Sequence, residues 1–290
     1  MGTAGRSDGP NPSTPLVPSW LDDGPGTAPP DGGGVPPPDG NQPAAPGEPK
    51  PLPPIPPAPP TARFTAARRN FSAFAGSDGR DSRALRRAVR DYVRSGTRGS
   101  GNSTRRMGAS RATAGELIGI LRGFQRDGIN PTLTLLNLGD LVGRSLDDVF
   151  IGLTDFICED GGPIDEGIAR EAWLETVAEL DGLAIADVAT LSPDQTRDIF
   201  LAFIAHSIVG RLLQDIGAKG FNFATDLAGI EAFDGQLKSY IRRSVRDSFS
   251  SNITAPATLS TEQIRTIVDR TYQEAWDLLV EQGDAEDETP

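Results

Sequence analysis

His206 and Cys158 are the only histidine and the only cysteine in the chain, so chemistry that needs either group has a single starting point. An imidazole works as a general base when a carboxylate orients it and a nucleophile lies within hydrogen-bond reach. Asp215 lies too far along the same helix to orient His206, and no serine sits in a nucleophile-elbow pattern. His206 therefore reads as a helix-packing residue. Cys158 ends an apolar stripe beside Glu159 and Asp160, whose charges disfavour a thiolate, so it reads as a buried, inert thiol. One residue of each type also excludes a disulfide framework and a cysteine- or histidine-built metal cluster within one chain.

The carboxylates offer little more. Asp22 and Asp23, Asp147 and Asp148, and Asp165 and Glu166 are sequence neighbours, and neighbours on a helix do not face each other. Glu171 and Glu175 share a helical face, as do Glu175 and Glu179, which leaves an acidic metal site as the one enzymatic alternative. Without an aligned histidine or a second carboxylate helix, they read as solvated surface. The glycines of LNLGDLVGR and DGGP are not followed by the Gly-Lys-Ser/Thr of a phosphate loop. The expectation is a protein with no catalytic residue, no metal and no cofactor.

Arg83, Arg87, Arg90 and Arg94 recur at helical spacing on a helix expected over 81–94, whose apolar face carries Leu85, Val89, Tyr92 and Val93. A solvated face, contact with an acidic protein surface (the chain's own body included) and contact with nucleic-acid phosphate all fit this row. The last would make the chain a nucleic-acid-binding adaptor. The absence of stacking aromatics among the arginines, and a net charge of -12, favour protein over nucleic acid.

The elements that must position these groups are helical. The central one is expected at 193–216, with Ser192 as N-cap, Pro193 at the first helical position and Gln195 completing a capping box. It is apolar on almost every side, as a helix surrounded by others is. Residues 96–111 read as a flexible basic linker. Thr113 and Glu116 suggest a capping box for a helix ending at Gly128, and a weak turn or short helix spans 131–138. Ser145 caps a stripe of Leu146, Val149, Phe150, Leu153, Phe156 and Ile157. Helices follow over 165–180, carrying Trp173, and over 227–249, and a last one is capped by Ser260 and Gln263. No alternating run argues for a sheet. The fold class expected is all-α, one bundle of seven to eight helices over 61–285, with a frayed acidic end at 286–290.

Residues 1–60 differ. They hold 20 of the 25 prolines and 10 of the 33 glycines, and proline removes the donors that helices and central strands need. This tail is expected to be disordered. Within it, residues 14–23 place Leu16, Val17 and Trp20 among prolines, a short linear motif suited to docking on a partner or on the body. Charge is partitioned as well: -4 over 1–60, +10 over 61–111 and -18 over 112–290. No secretory signal pattern opens the sequence, no run reaches the ~18 apolar residues of a membrane span, and Arg6 stands where a myristoylation signal wants Ser or Thr. A cytoplasmic protein with no membrane partner is expected.

Several segments together resemble the QatB family, the associated proteins of the four-gene Qat anti-phage defence system. They are the opening MGT, TPLVPSWLDDGP at 14–25, RFTAARRNFSAFA at 63–75, DSRALRRAVRDYVRSG at 81–96, STRRMGASRATAGELIGIL at 103–121 and LTDFICEDGGPIDEGIAREAW at 153–173. The resemblance implies a non-enzymatic partner encoded beside a predicted ATPase, a QueC-like enzyme of deazaguanine chemistry and a TatD-like nuclease. It further implies that the QueC-like enzyme modifies a partner's N-terminus. Gly2 would then be the acceptor once Met1 is removed.

Overall fold

The computed structural model describes residues 63–158, 164–180, 191–217, 227–249 and 260–288. Among these residues the structure is all-α, without strands. Eleven α-helices follow in order: α1 Thr65–Gly76, α2 Ser82–Asp91, α3 Ser100–Arg105, α4 Gly108–Asp127, α5 Ile129–Leu135, α6 Leu146–Gly152, α7 Thr154–Ile157, α8 Ile164–Ala178, α9 Pro193–Gly217, α10 Leu227–Ser248 and α11 Thr261–Glu288. The excess over seven to eight comes from short pieces such as α3, α5 and α7.

The core is built around α9. Every residue from 199 to 209 is buried, because α8, α10 and α4 pack around the helix. By length and composition alone α9 could cross a membrane, but its apolar surface is spent on those neighbours. Each large apolar side chain buried there contributes about 1.5–3 kcal/mol relative to exposure. The start follows the sequence reading: the Ser192 amide donates to Gln195 Oε1 at 2.9 Å, and the Gln195 amide donates to Ser192 Oγ at 3.2 Å. Ser260 and Gln263 make the same reciprocal pair at 2.7 and 3.3 Å ahead of α11. Ser145 accepts from the Asp148 amide at 3.2 Å and opens α6.

Three expectations are corrected. The basic linker is helix: α2 runs into a π-helical turn, Tyr92–Thr97, and α3 and the start of α4 fill the rest. Two of its buried hydroxyls satisfy each other, Thr97 Oγ1 lying 2.6 Å from Ser103 Oγ, and Met107 is fully buried. Gly99, at φ 111°, supplies the backbone conformation that lets the chain re-enter helix there. Consequently α4 begins at Gly108, and Thr113 is a buried interior residue rather than a cap. The apolar stripe after Ser145 breaks into α6 and α7 at Leu153, leaving Phe156 42% exposed. Trp173 on α8 fixes this break by donating its indole N–H to Thr154 Oγ1 at 3.2 Å. The acidic end is not frayed at 286 but helical to Glu288, for a reason that lies in α2.

Candidate functional site

Two charges one turn apart in the C-terminal half of α9 organise a connected group of polar side chains. Arg211 and Asp215 of α9 are both largely buried, with 6% and 10% side-chain exposure. Arg211 reaches Asp165 at the start of α8 at 2.7 Å and donates to the Arg106 carbonyl at 2.8 Å. Arg106, in the turn between α3 and α4, places its guanidinium 2.8 Å from both Asp215 oxygens. The Tyr92 hydroxyl donates to Asp215 Oδ2 at 2.8 Å, while its ring stacks between Phe64 and Trp276. Burial first, and then the Asp215 charge, push the Tyr92 phenol well above its ordinary range, so it stays a donor. Burial works against the Arg106 charge, but Asp215 outweighs it and raises that pKa. Arg68 of α1 donates to the Asp215 and Ile216 carbonyls at 3.4 and 3.3 Å, satisfying groups that a helix C-terminus leaves open.

His206, one face away, is 7% exposed, and its Nε2 lies 3.4 Å from Glu179 Oε1. Glu179 also meets Arg242 of α10 at 2.8 Å. Burial alone would raise the Glu179 pKa, but His206, Arg242 and Lys238 together hold the carboxyl below its ordinary value. The adjacent hydroxyl, Ser207, is turned to the Tyr272 hydroxyl at 2.8 Å and to the Ile204 carbonyl at 2.8 Å. Glu171 and Glu175 line a cleft of about 420 Å³ between α8, α9 and α10, with His206, Asp234 and Lys238. Lys238 is held by Glu175 at 3.1 Å and by Asp234 at 3.0 Å. No group of three His, Cys, Asp or Glu among the described residues is arranged to hold a metal ion. Cys158 is buried, 2% exposed.

The arginine row is engaged from within the chain. Arg83 and Arg86 meet Glu286, Arg87 and Arg90 meet Asp287, and Arg94 meets Asp284, all on the last turns of α11. The hydrogen bond from Arg90 is the largest cause holding the Asp287 carboxyl below its ordinary range. Gly2, Leu16, Val17 and Trp20 lie outside the described residues. The node at Arg106, Asp165, Arg211 and Asp215 was missed by sequence reasoning. Its available signal was the (i, i+4) pair Arg211 and Asp215 directly after the apolar run of α9.

A family model for QatB, the Qat anti-phage system associated protein, matches residues 98–279, more than half of the chain. The chain belongs to the QatB family. Arg106, Asp165, Arg211 and Asp215 all fall inside the QatB match, so the polar node joins three segments of the family's own span. The arginine row and its carboxylate partners lie outside that span, one before it and one after it, and pair with each other. No curated protein and no solved structure matches the chain.

Proposed function

We propose that this QatB-family protein is the interaction and substrate subunit of a Qat anti-phage complex in the cytoplasm. Its helical body supplies the docking framework, and its N-terminal tail is offered to a QueC-like partner enzyme that modifies Gly2. The observation that carries the reading is the QatB match over 98–279, which makes the body the associated protein of a defence system. The chemistry of the body supports it: the side chains best able to act on a substrate are engaged in joining helices. His206 faces Glu179, Arg211 faces Asp165 and Asp215, and the α2 arginines face α11. The tail's composition suits presentation. Prolines 15 and 18 limit the entropy that Leu16, Val17 and Trp20 lose on docking, and the proline-rich stretch after them lets Gly2 reach an active site away from the body. The ATPase of the system is the second expected partner.

Intact mass of the protein, expressed with and without its neighbouring gene products, tests the modification. An adduct on Gly2 that requires the QueC-like partner and falls at least tenfold in Trp20→Ala is the expected result. Tryptophan anchors of this kind often contribute about 2 kcal/mol or more, roughly 30-fold in affinity. An unmodified N-terminus in the presence of every partner would remove the tail from this role.

A further inference from the structure

The row on α2 is denser than its four original members, for Arg86 belongs to it. Arg83, Arg86, Arg87, Arg90 and Arg94 extend over about 16 Å of helix, at a rise of ~1.5 Å per residue. Between residues 80 and 111 the acids are Asp81 and Asp91, and both are spent locally. Asp81 accepts from the Ala84 amide to cap α2, and Asp91 pairs with Arg90 and Asn70. Arg98 and Arg105, farther along the chain, are also exposed.

What occupies this strip is poorly suited to being a helix on its own account. Asp284, Glu286, Asp287 and Glu288 crowd the C-terminal end of α11, where the helix dipole disfavours negative charge, and the last turn holds no basic residue. Gly283, inside the helix, weakens it further. The end is held in trans. Arg87 donates to the Glu286 carbonyl at 3.1 Å, satisfying a carbonyl the terminus leaves open, and Arg90 donates to the Gly283 carbonyl at 3.4 Å one turn earlier. Gly283 is also what admits α11, since a Cβ there would overlap Arg90 Cβ and lie 2.8 Å from the Arg86 carbonyl oxygen. Arg83, Arg87 and Arg94 are 57%, 39% and 58% exposed, so their pairs are screened and exchangeable, while Arg90 at 14% and Glu286 at 12% are more covered.

We propose that the α2 arginine row is a binding surface for the phosphate backbone of nucleic acid, closed in this structure by the acidic end of α11 acting as its competitor. Arginine forks accept phosphate as readily as carboxylate, and no lysine enters the row. A free acidic peptide offers the row only what the tethered segment already supplies at high effective concentration. A duplex brings a continuous line of charge, and its condensed counterions are released on binding, so it displaces the segment where a peptide does not. With no aromatic in the row, binding is directed to the backbone and is indifferent to sequence.

The test uses fluorescence anisotropy with a labelled 20-base-pair duplex between 50 and 200 mM salt (on the order of the range where backbone contacts are lost). Three full-body chains are compared: wild type, a chain ending at Gly283, and the full-length triple variant Asp284→Asn, Glu286→Gln, Asp287→Asn. The opened chains should bind at least tenfold more tightly than wild type. For four phosphates neutralised, log K should fall with log salt at a slope of about -3.6. Adding Arg87→Glu and Arg94→Glu should abolish the gain. In the unmodified chain, hydrogen exchange at 284–288 should accelerate when duplex is added. No gain in either opened chain while its thermal melt stays cooperative overturns the proposal. So does a peptide of residues 276–290 that displaces the duplex at equal concentration, which would make the row a protein-docking surface. If both opened chains fail to melt cooperatively, the wild-type exchange decides, and unchanged exchange at 284–288 overturns the proposal as well.

Discussion

Asp215 is the residue whose removal should be felt most, because three hydrogen bonds, from Tyr92 and Arg106, converge on a carboxylate that is 10% exposed. Asp215→Ala leaves the buried Arg211 with the Asp165 carboxylate and the Arg106 carbonyl, and leaves the Tyr92 hydroxyl without its acceptor. Breaking a buried charged contact of this kind costs about 3–5 kcal/mol, and the partial exposure of Arg106 places the expected loss near the lower end, about 3 kcal/mol. Chemical denaturation measures it; a loss below about 1 kcal/mol would mean that the node is not a structural keystone. Glu179 carries a pH signature. Its folded pKa is held below the ordinary value of 4.5, so its contribution is fully present above about pH 4.5 and is lost as pH falls through the lower folded value. The stability gap between wild type and Glu179→Gln should therefore narrow below about pH 4.5, read from urea midpoints across an acid series. A gap that widens on acidification would reverse the assigned cause. The burial of His206 was legible from its surroundings in the sequence, but its partner was not, since Glu179 comes from the turn after α8.

At the scale of elements, the capped helices were legible because capping is local: Ser192 with Gln195, Ser260 with Gln263 and Ser145 with Asp148 lie three residues apart. Residues 96–111 were not, because their polarity suggests solvent until Thr97 and Ser103 are seen to bury each other's hydroxyls. The helical acidic end was equally hidden, since the arginines that support it lie about 190 to 200 positions away in the chain. Close packing of α2 on α11 gives a test at this scale. Gly283→Ala gains intrinsic helix propensity of about 1 kcal/mol, but its methyl meets backbone and a Cβ that cannot swing aside. Net destabilisation of about 1–3 kcal/mol is expected, as for overpacking. Gly119→Ala on the exposed face of α4, where nothing lies within 4 Å, should instead stabilise by roughly 0.5–1 kcal/mol. Equal responses at the two glycines, by thermal or urea unfolding, would refute the close approach.

For the whole molecule, a QatB-family chain whose described residues are all-α divides its labour, in the function proposed, between body and tail. The helices that make the polar node and the α9 core all begin after residue 63. Deleting residues 1–25 should therefore leave the melting temperature of the body within about a degree. The most direct measurement is phage plating on cells carrying the complete system with this deleted chain in place of the full one, alongside co-purification of its partners. A stable, normally accumulating body, a failure to retain the QueC-like enzyme and loss of protection are the expected results. Full protection with the complex intact after the deletion would contradict this division, and would place the function in the helical body alone.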